Sequence, residues 1–298
     1  MFGKTKNKIR AVQRRDAPHY RLWQALYMAF YSSKLYVDIG LRWRGLGVCY
    51  FFMLIACVTL PVSIRLIVVM NHYLSEQLIE PLDNLPPIHL HYGEVLFSEP
   101  MPYFVKSARG HVVTIVDTTD HIQWMNLEKY PNLMLLITKH DFYFRMPPIP
   151  LFSDLPADPE MSRIRSEHVD PSVSERFIGR EWLDAVHARG IKTFFLYAFY
   201  PSFMLFISMF MLGLMFAVAA AGQFFAQVMF KFKLGYVTAL RFVMVTITPA
   251  MVLLFGLMAI DQLIQGIIVY CIALFGLYFC FAVLQLKYAS RSMALCSF

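Results

Sequence analysis

The sequence predicts an α-helical integral membrane protein with four transmembrane helices. A small mixed α+β domain, mainly antiparallel β, is inserted between helices 1 and 2. Three observations carry this reading. Four charge-free stretches, Gly45–Ile64, Thr193–Phe230, Phe242–Ile260 and Gln262–Leu286, contain 20, 38, 19 and 25 residues, and roughly 20 apolar residues of helix cross a hydrocarbon core. The chain is 58% hydrophobic with a mean hydropathy of +0.51, against roughly 45–50% apolar in soluble domains. Finally, short runs rich in β-branched residues, broken by turn signals, fall between the first and second stretches.

The net charge of +7 is a topology signal. Residues 1–44 hold ten Lys/Arg against Asp16 and Asp38, whereas residues 71–192 hold eleven Lys/Arg against seventeen Asp/Glu, a net of −6. Lys/Arg-rich flanks stay cytoplasmic, so both termini are expected inside and the insert outside, and no nucleic-acid partner is expected. The five cysteines are Cys49, Cys57, Cys271, Cys280 and Cys296. None lies in the insert, which therefore has no disulfide framework. The polar, basic run ahead of the first span lacks the pattern of a cleavable signal peptide, so that span is expected to be a retained anchor.

The elements follow in order. Residues 1–44 divide into a basic tail over 1–17, suited to anionic lipid headgroups, and an amphipathic segment over 18–44. In the latter, Leu22, Trp23, Leu26, Tyr27, Phe30 and Tyr31 recur at helical spacing. Such a helix lies in the membrane interface or packs on the protein's own spans. The first span occupies 45–70, kinked at Pro61, with Arg65 placed to snorkel to the headgroups or to act within the membrane. The insert covers 71–190. Ile88–Phe97 alternates and turns at Gly93, and His111–Val116 reads as a strand entered from the Arg109-Gly110 turn. Further strand signals lie at Met134–Thr138 and Phe142–Arg145, residues 146–180 read as a loop or arm, and Trp182–Ile191 as a helix returning to the membrane.

The 38-residue stretch exceeds one span, since at about 1.5 Å per residue it would be nearly twice the hydrocarbon thickness. A break is therefore expected near Gly222, giving a second span over 191–222 and a cytoplasmic interfacial segment over 223–241. In that segment Gln223, Gln227 and Lys231 form a polar stripe at every fourth residue. Spans three and four occupy 242–260 and 262–286 as a hairpin turning at Asp261-Gln262, with a cytoplasmic tail over 287–298. Ala217, Ala221 and Gly222 permit close helix approach.

Chemistry-bearing residues are few. His89 and His91 share one face of a strand, but no third ligand stands at a recognisable spacing, so no metal is expected. Val116-Asp117-Thr118-Thr119-Asp120 resembles an Asp-first phosphoryl-transfer loop, yet without a phosphate cradle it reads better as an Asx turn closing a strand. Asp261, the one acidic residue after Asp184, belongs to a hairpin loop or to a proton or ion relay. No nucleophile elbow, zinc motif, Walker loop or pair of acids within a span occurs. No catalytic residue and no cofactor is therefore expected. Trp23, Tyr27, Arg65, Gln223, Gln227, Lys231 and Asp261 are the candidates for partner or lipid contact.

Phe30-Tyr31-Ser32-Ser33-Lys34-Leu35-Tyr36, Arg42-Trp43-Arg44-Gly45-Leu46-Gly47, Ile115-Val116-Asp117-Thr118-Thr119 and Lys231…Leu234-Gly235-Tyr236…Arg241…Thr248-Pro249 together resemble a bacterial membrane family known as domain of unknown function 1189. The resemblance covers most of residues 25–286. Asp120 stands where the family's usual glycine follows Asp-Thr-Thr. The resemblance implies a protein of the bacterial cytoplasmic (inner) membrane with an extracytoplasmic domain and implies no catalytic residue. The arrangement around Gly222–Pro249 is also similar to Yip-type membrane proteins. The expected role is a non-enzymatic accessory subunit of an inner-membrane complex, partnered with other membrane proteins or with itself. The alternative is a transport or lipid-handling component acting as an oligomer.

Overall fold

The computed structural model describes residues 18–119, 129–145, 164–172 and 174–295. The basic tail over 1–17 and most of the arm over 146–163 lie outside them. The helices are α1 (Leu22–Met28), α2 (Ser33–Leu41), α3 (Val48–Tyr73), α4 (Glu80–Asp83), α5 (Gly179–Ala185), α6 (Ala188–Phe230), α7 (Tyr236–Thr246), α8 (Thr248–Ala259) and α9 (Ile267–Leu295). The strands are β1 (Ile88–His91), β2 (Glu94–Leu96), β3 (Tyr103–Lys106), β4 (Val112–Val116), β5 (Leu135–Ile137), β6 (Asp141–Phe144), β7 (Arg165–His168) and β8 (Glu175–Phe177). Four helical stretches are long and apolar enough to cross a membrane: Val48–Asp83, Ala188–Phe230, Tyr236–Ala259 and Ile267–Ser290. This is a multi-pass helical membrane protein with a small β domain in its sequence between the first two. It divides into two compact units, Met1–Ile64 with Tyr200–Phe298, and Arg65–Phe199.

In the first unit α9 packs against α8, α7 and α2, and α2 packs against α7. The single amphipathic segment expected over 18–44 is instead two helices, of which the second packs on the protein's own helices. The second, α2, is capped by Ser32, whose Oγ accepts from the Leu35 N–H at 3.4 Å, and it buries Leu35, Tyr36, Asp38 and Ile39. The first, α1, buries only Ala25 and leaves Leu22, Trp23 and Tyr27 exposed. Pro61 removes one backbone donor from α3. Around it the hydroxyls of Thr59 and Ser63 bond back to the carbonyls of Ile55 and Thr59 at 2.7 and 2.8 Å, and the Tyr200 hydroxyl donates to the Ala56 carbonyl at 3.0 Å.

Two sequence expectations are corrected here. The break near Gly222 does not occur, because α6 runs unbroken for 43 residues to Phe230. Glycine stands at 222 for closeness: a Cβ there would sit 2.7 Å from Cζ of Phe279. The buried stripe of α6 is Ser208, Met215, Ala219 and Ala226, whereas Ala217 and Ala221 are exposed. The third span is likewise two helices. It divides at Ile247, and Pro249 opens α8 where a missing N–H goes unmissed.

The second unit contains two sheets, ordered β2-β1-β8 and β3-β4-β5-β6-β7. All pairings are antiparallel except β4 with β5. Tyr92 and Gly93, at φ 48° and 82°, form the two-residue turn with both φ positive that matches hairpin twist. The period-two alternation is read out in β4 and β5. Val116 and Ile137 join Ile88, Val95 and Val105 in a core shared by both sheets. Ile115 and Leu136, one position back, face Leu133 in a second cluster. Residues 146–180, expected as an arm, supply β7 and β8 at their described end. Their polar sequences, Arg165-Ser166-Glu167-His168 and Glu175-Arg176-Phe177, carry no apolar alternation to announce a strand.

Candidate functional site

Two places combine polar chemistry with a built geometry, one in each unit.

The first is a cleft of about 800 Å³ between Pro18–Trp23, the Trp43–Gly47 loop and the first turns of α3. One wall is held from behind by a buried carboxylate. Asp38, 3% exposed, accepts the His19 N–H at 3.0 Å and the Tyr20 N–H at 3.4 Å, while Arg42 Nη1 donates to it at 3.4 Å. A buried carboxylate requires such partners. Here they fasten the chain ahead of α1 onto α2, and that sets one wall. The opposite wall is the loop whose Gly45 and Gly47 have φ of 80° and 81°, anchored by Arg241 Nε donating to the Gly45 carbonyl at 2.7 Å. At the floor, Tyr50 and Thr248 share a buried hydroxyl hydrogen bond at 2.6 Å. Tyr36 donates to the Ala29 carbonyl at 2.5 Å, and burial pushes its phenol above the ordinary range.

The lining is amphipathic. Tyr20, Trp23, Trp43, Tyr50, Leu46 and Met53 supply aromatic and apolar surface, and Arg21 and Arg44 supply charge. Among the described residues no acid lines it. Arg42 is committed to Asp38, whereas Arg21 and Arg44 have no ion-pair partner among the described residues. The Trp43 indole N–H is buried without an acceptor among them, a state that costs about 1–3 kcal/mol.

The second place is the clasp at the base of the β domain. A π-helical segment, Leu74–Ile79, continues α3 into α4, and α5 leads into α6. Asp83 of α4 receives Arg180 at 2.9 Å and Arg189 at 3.2 Å, and the pair holds the Arg180 guanidinium above its ordinary range. Glu76 receives Arg109 at 3.0 Å and faces His72 at 3.2 Å. Lys192 Nζ donates to Ser75 Oγ at 2.6 Å. Gly179 lies so close to the Leu82 carbonyl that a Cβ would overlap its oxygen.

The residues singled out from sequence do not form one site. Trp23 lines the cleft and Tyr27 lies beside it in sequence on α1, their ring centroids 6.1 Å apart. Arg65 is half-buried on α3 in the other unit. Gln223 and Gln227 belong to the last turns of α6, and Lys231 follows its end at φ 49°, where Lys287 Nζ donates to the Phe230 carbonyl at 2.8 Å. Asp261 occupies the α8–α9 turn at φ 58°. His89 and His91 are both exposed on β1, and His91 Nδ1 is 3.1 Å from Ser174 Oγ. Among the described residues no three metal-ligating side chains gather. Asp117 accepts the Thr119 N–H at 3.0 Å and hydroxyl at 2.5 Å, the Asx turn read from the sequence. Sequence reasoning missed Asp38 and the presence of Arg21 and Arg44 on one cleft. The available signal was an acid, one of two in the first 44 residues, set among Leu35, Tyr36 and Ile39 of an apolar helix face.

Several motif segments quoted above meet at the cleft and its supports: Ser32 caps α2, Trp43–Gly47 forms a wall, and Arg241 and Thr248 hold the loop and Tyr50. The family model described as Protein of unknown function (DUF1189) matches residues 23–283. No curated protein and no solved structure matches the chain.

Proposed function

We propose, from the premise that this chain belongs to the DUF1189 family, that it is a non-enzymatic accessory subunit of a bacterial inner-membrane complex. It presents its β domain outside the cytoplasm for a partner protein to bind. The clasp carries this reading. The domain is fastened at its entry and its exit, through Asp83, Glu76, Lys192 and the Gly179–Leu82 approach, to the helical segments that lead from and to the membrane. A display element needs this fixed footing, and a loosely tethered domain would not have it. The ten Lys/Arg of residues 1–44, ahead of the first span, support the sidedness. The surface offered is a sheet edge: among the described residues β7 ends the five-stranded sheet, and all four of its residues are exposed. A partner strand adds to such an edge through main-chain hydrogen bonds.

Gentle solubilisation of native membranes and mass spectrometry of what co-purifies with the tagged chain test the reading. A stoichiometric partner, diminished by Ser166→Pro in β7, is the expected result. A lone chain under the mildest conditions overturns it.

A second reading, an oligomeric transport or lipid-handling component, is favoured by the bareness of the spans. Only 17% of the most apolar window is buried in Ala188–Phe230 and in Ile267–Ser290. Flux in proteoliposomes that survives both Asp261→Asn and Arg65→Gln removes those residues from such a mechanism.

A further inference from the structure

We propose that the cleft between α1, the Trp43–Gly47 loop and the start of α3 binds the phosphate headgroup of an anionic lipid. The two guanidinium groups of Arg21 and Arg44 would receive the phosphate, and the aromatic walls the upper part of the acyl chains.

The argument starts from charge. Among the described residues the cleft is lined by two arginines and no acid. The neighbouring Arg42 is already matched to Asp38, and neither Arg21 nor Arg44 is paired among the described residues. Arginine presents a planar fork of donors that fits phosphate oxygens in a bidentate manner, so an anion with several oxygens completes this pair. The chain ahead of the cleft carries Lys4, Lys6, Lys8, Arg10, Arg14 and Arg15. That adds to the attraction for an anion and excludes the chain's own basic tail as a charge-complementary occupant.

The rest of the lining selects an amphiphile over a soluble anion. Val48, Cys49, Tyr50 and Met53 belong both to the cleft and to the opening turns of a helix apolar enough to span a membrane. A lining that combines arginine charge with aliphatic and aromatic surface suits the boundary between headgroups and acyl chains. Tryptophan and tyrosine favour that boundary in membrane proteins. The wall is preformed, because Asp38 pins residues 19 and 20 and Arg241 pins Gly45. This binding does not depend on the accessory-subunit reading, and the two fail separately.

The test uses the full chain with Trp124→Phe and Trp182→Phe, which leaves Trp23 and Trp43 as the only indoles. It is reconstituted in phosphatidylcholine nanodiscs containing phosphatidylglycerol or phosphatidylcholine brominated on the upper acyl chain, at equal mole fraction. Quenching is expected to be stronger with the brominated anionic lipid. Neutralising Arg21→Gln and Arg44→Gln should weaken the preference about fivefold for each charge removed. Arg21→Lys with Arg44→Lys, which keeps charge and loses the fork, should fall between. Circular dichroism verifies that the variants fold. Equal quenching by the two lipids overturns the proposal, as does a preference that survives the double glutamine variant. Loss of the preference on adding millimolar inorganic phosphate at constant ionic strength also overturns it, by assigning the cleft to a soluble anion.

Discussion

The two units of this chain hold themselves together with different polar contacts. The helical unit relies on hydrogen bonds set among its helices. The Asp38 carboxylate, the Tyr36 phenol and the Tyr50–Thr248 pair are buried and engaged, while the outer faces of its long helices are apolar. The β domain adds ion pairs to an apolar core. That core is Leu, Ile and Val, Asp117 is buried within its own Asx turn, and the ion pairs reach the surface through Arg180 and Arg189, 67% and 54% exposed. A membrane-embedded unit has no hydrophobic gain from contact between its helices, so fixed geometry must come from close packing and internal hydrogen bonds. A water-facing unit obtains its stability from apolar burial and uses charge for fastening.

Substitutions that strike one unit and spare the other break this comparison most directly. Gly179→Ala has the largest expected effect, because the new methyl falls on the Leu82 carbonyl and backbone must separate from backbone. It should destabilise the β domain by about 3 kcal/mol, read as faster hydrogen exchange in β1 and β8 with unchanged exchange in α2 and α7. Next, Asp38→Asn should cost the helical unit about 2 kcal/mol and open the segment ahead of α1 to proteolysis near His19. Tyr50→Phe removes one buried hydroxyl bond and should cost about 1 kcal/mol, a loss that persists in 1 M salt.

Smaller effects sharpen the comparison. Asp83→Asn should raise exchange around residues 179–192 at low ionic strength, and the difference from the parent should vanish in 1 M salt, where the screening length falls to about 3 Å. Least of all is the Asp170 turn. The Ser172 backbone N–H and hydroxyl donate to Asp170 and hold its carboxyl below the usual carboxylate range. A carboxyl lowered in the folded state stabilises above its unfolded pKa, and that contribution fades as pH falls through the folded value. A carbon-13 titration should show the depressed midpoint, and Ser172→Ala should return it toward normal.

The legible part of this fold is the part written in one dimension. Spans appear as missing charges, and the β1–β2 hairpin appears as alternation around Gly93. The Asp117 turn is readable because its partner, Thr119, lies two residues away. Where sequence reading fails, a distant partner decides. Gly222 reads as a helix breaker until Phe279 is placed against it, and the polar strands β7 and β8 have no pattern of their own, gaining their place by pairing with β6 and β1. The cleft is obscure for the same reason. Arg21 and Arg44 lie 23 positions apart, and an acid between them that reads as a stray charge is what fixes the chain beside the first of them. Trp23 and Tyr27 were visible as interfacial aromatics, but nothing local associates them with the loop at Trp43.

The uninterrupted helix α6 has a consequence for how the protein meets membranes of different thickness. Between Lys192 and Lys231 it carries no charge, and at about 1.5 Å per residue this uncharged length is nearly double the hydrocarbon core. A helix longer than the hydrocarbon core is accommodated by tilting. Depth is dictated by the shorter span α7–α8 and by α9, with their charged borders at Arg241, Asp261 and Lys287, and α6, packed at Gly222 against Phe279 of α9, follows them.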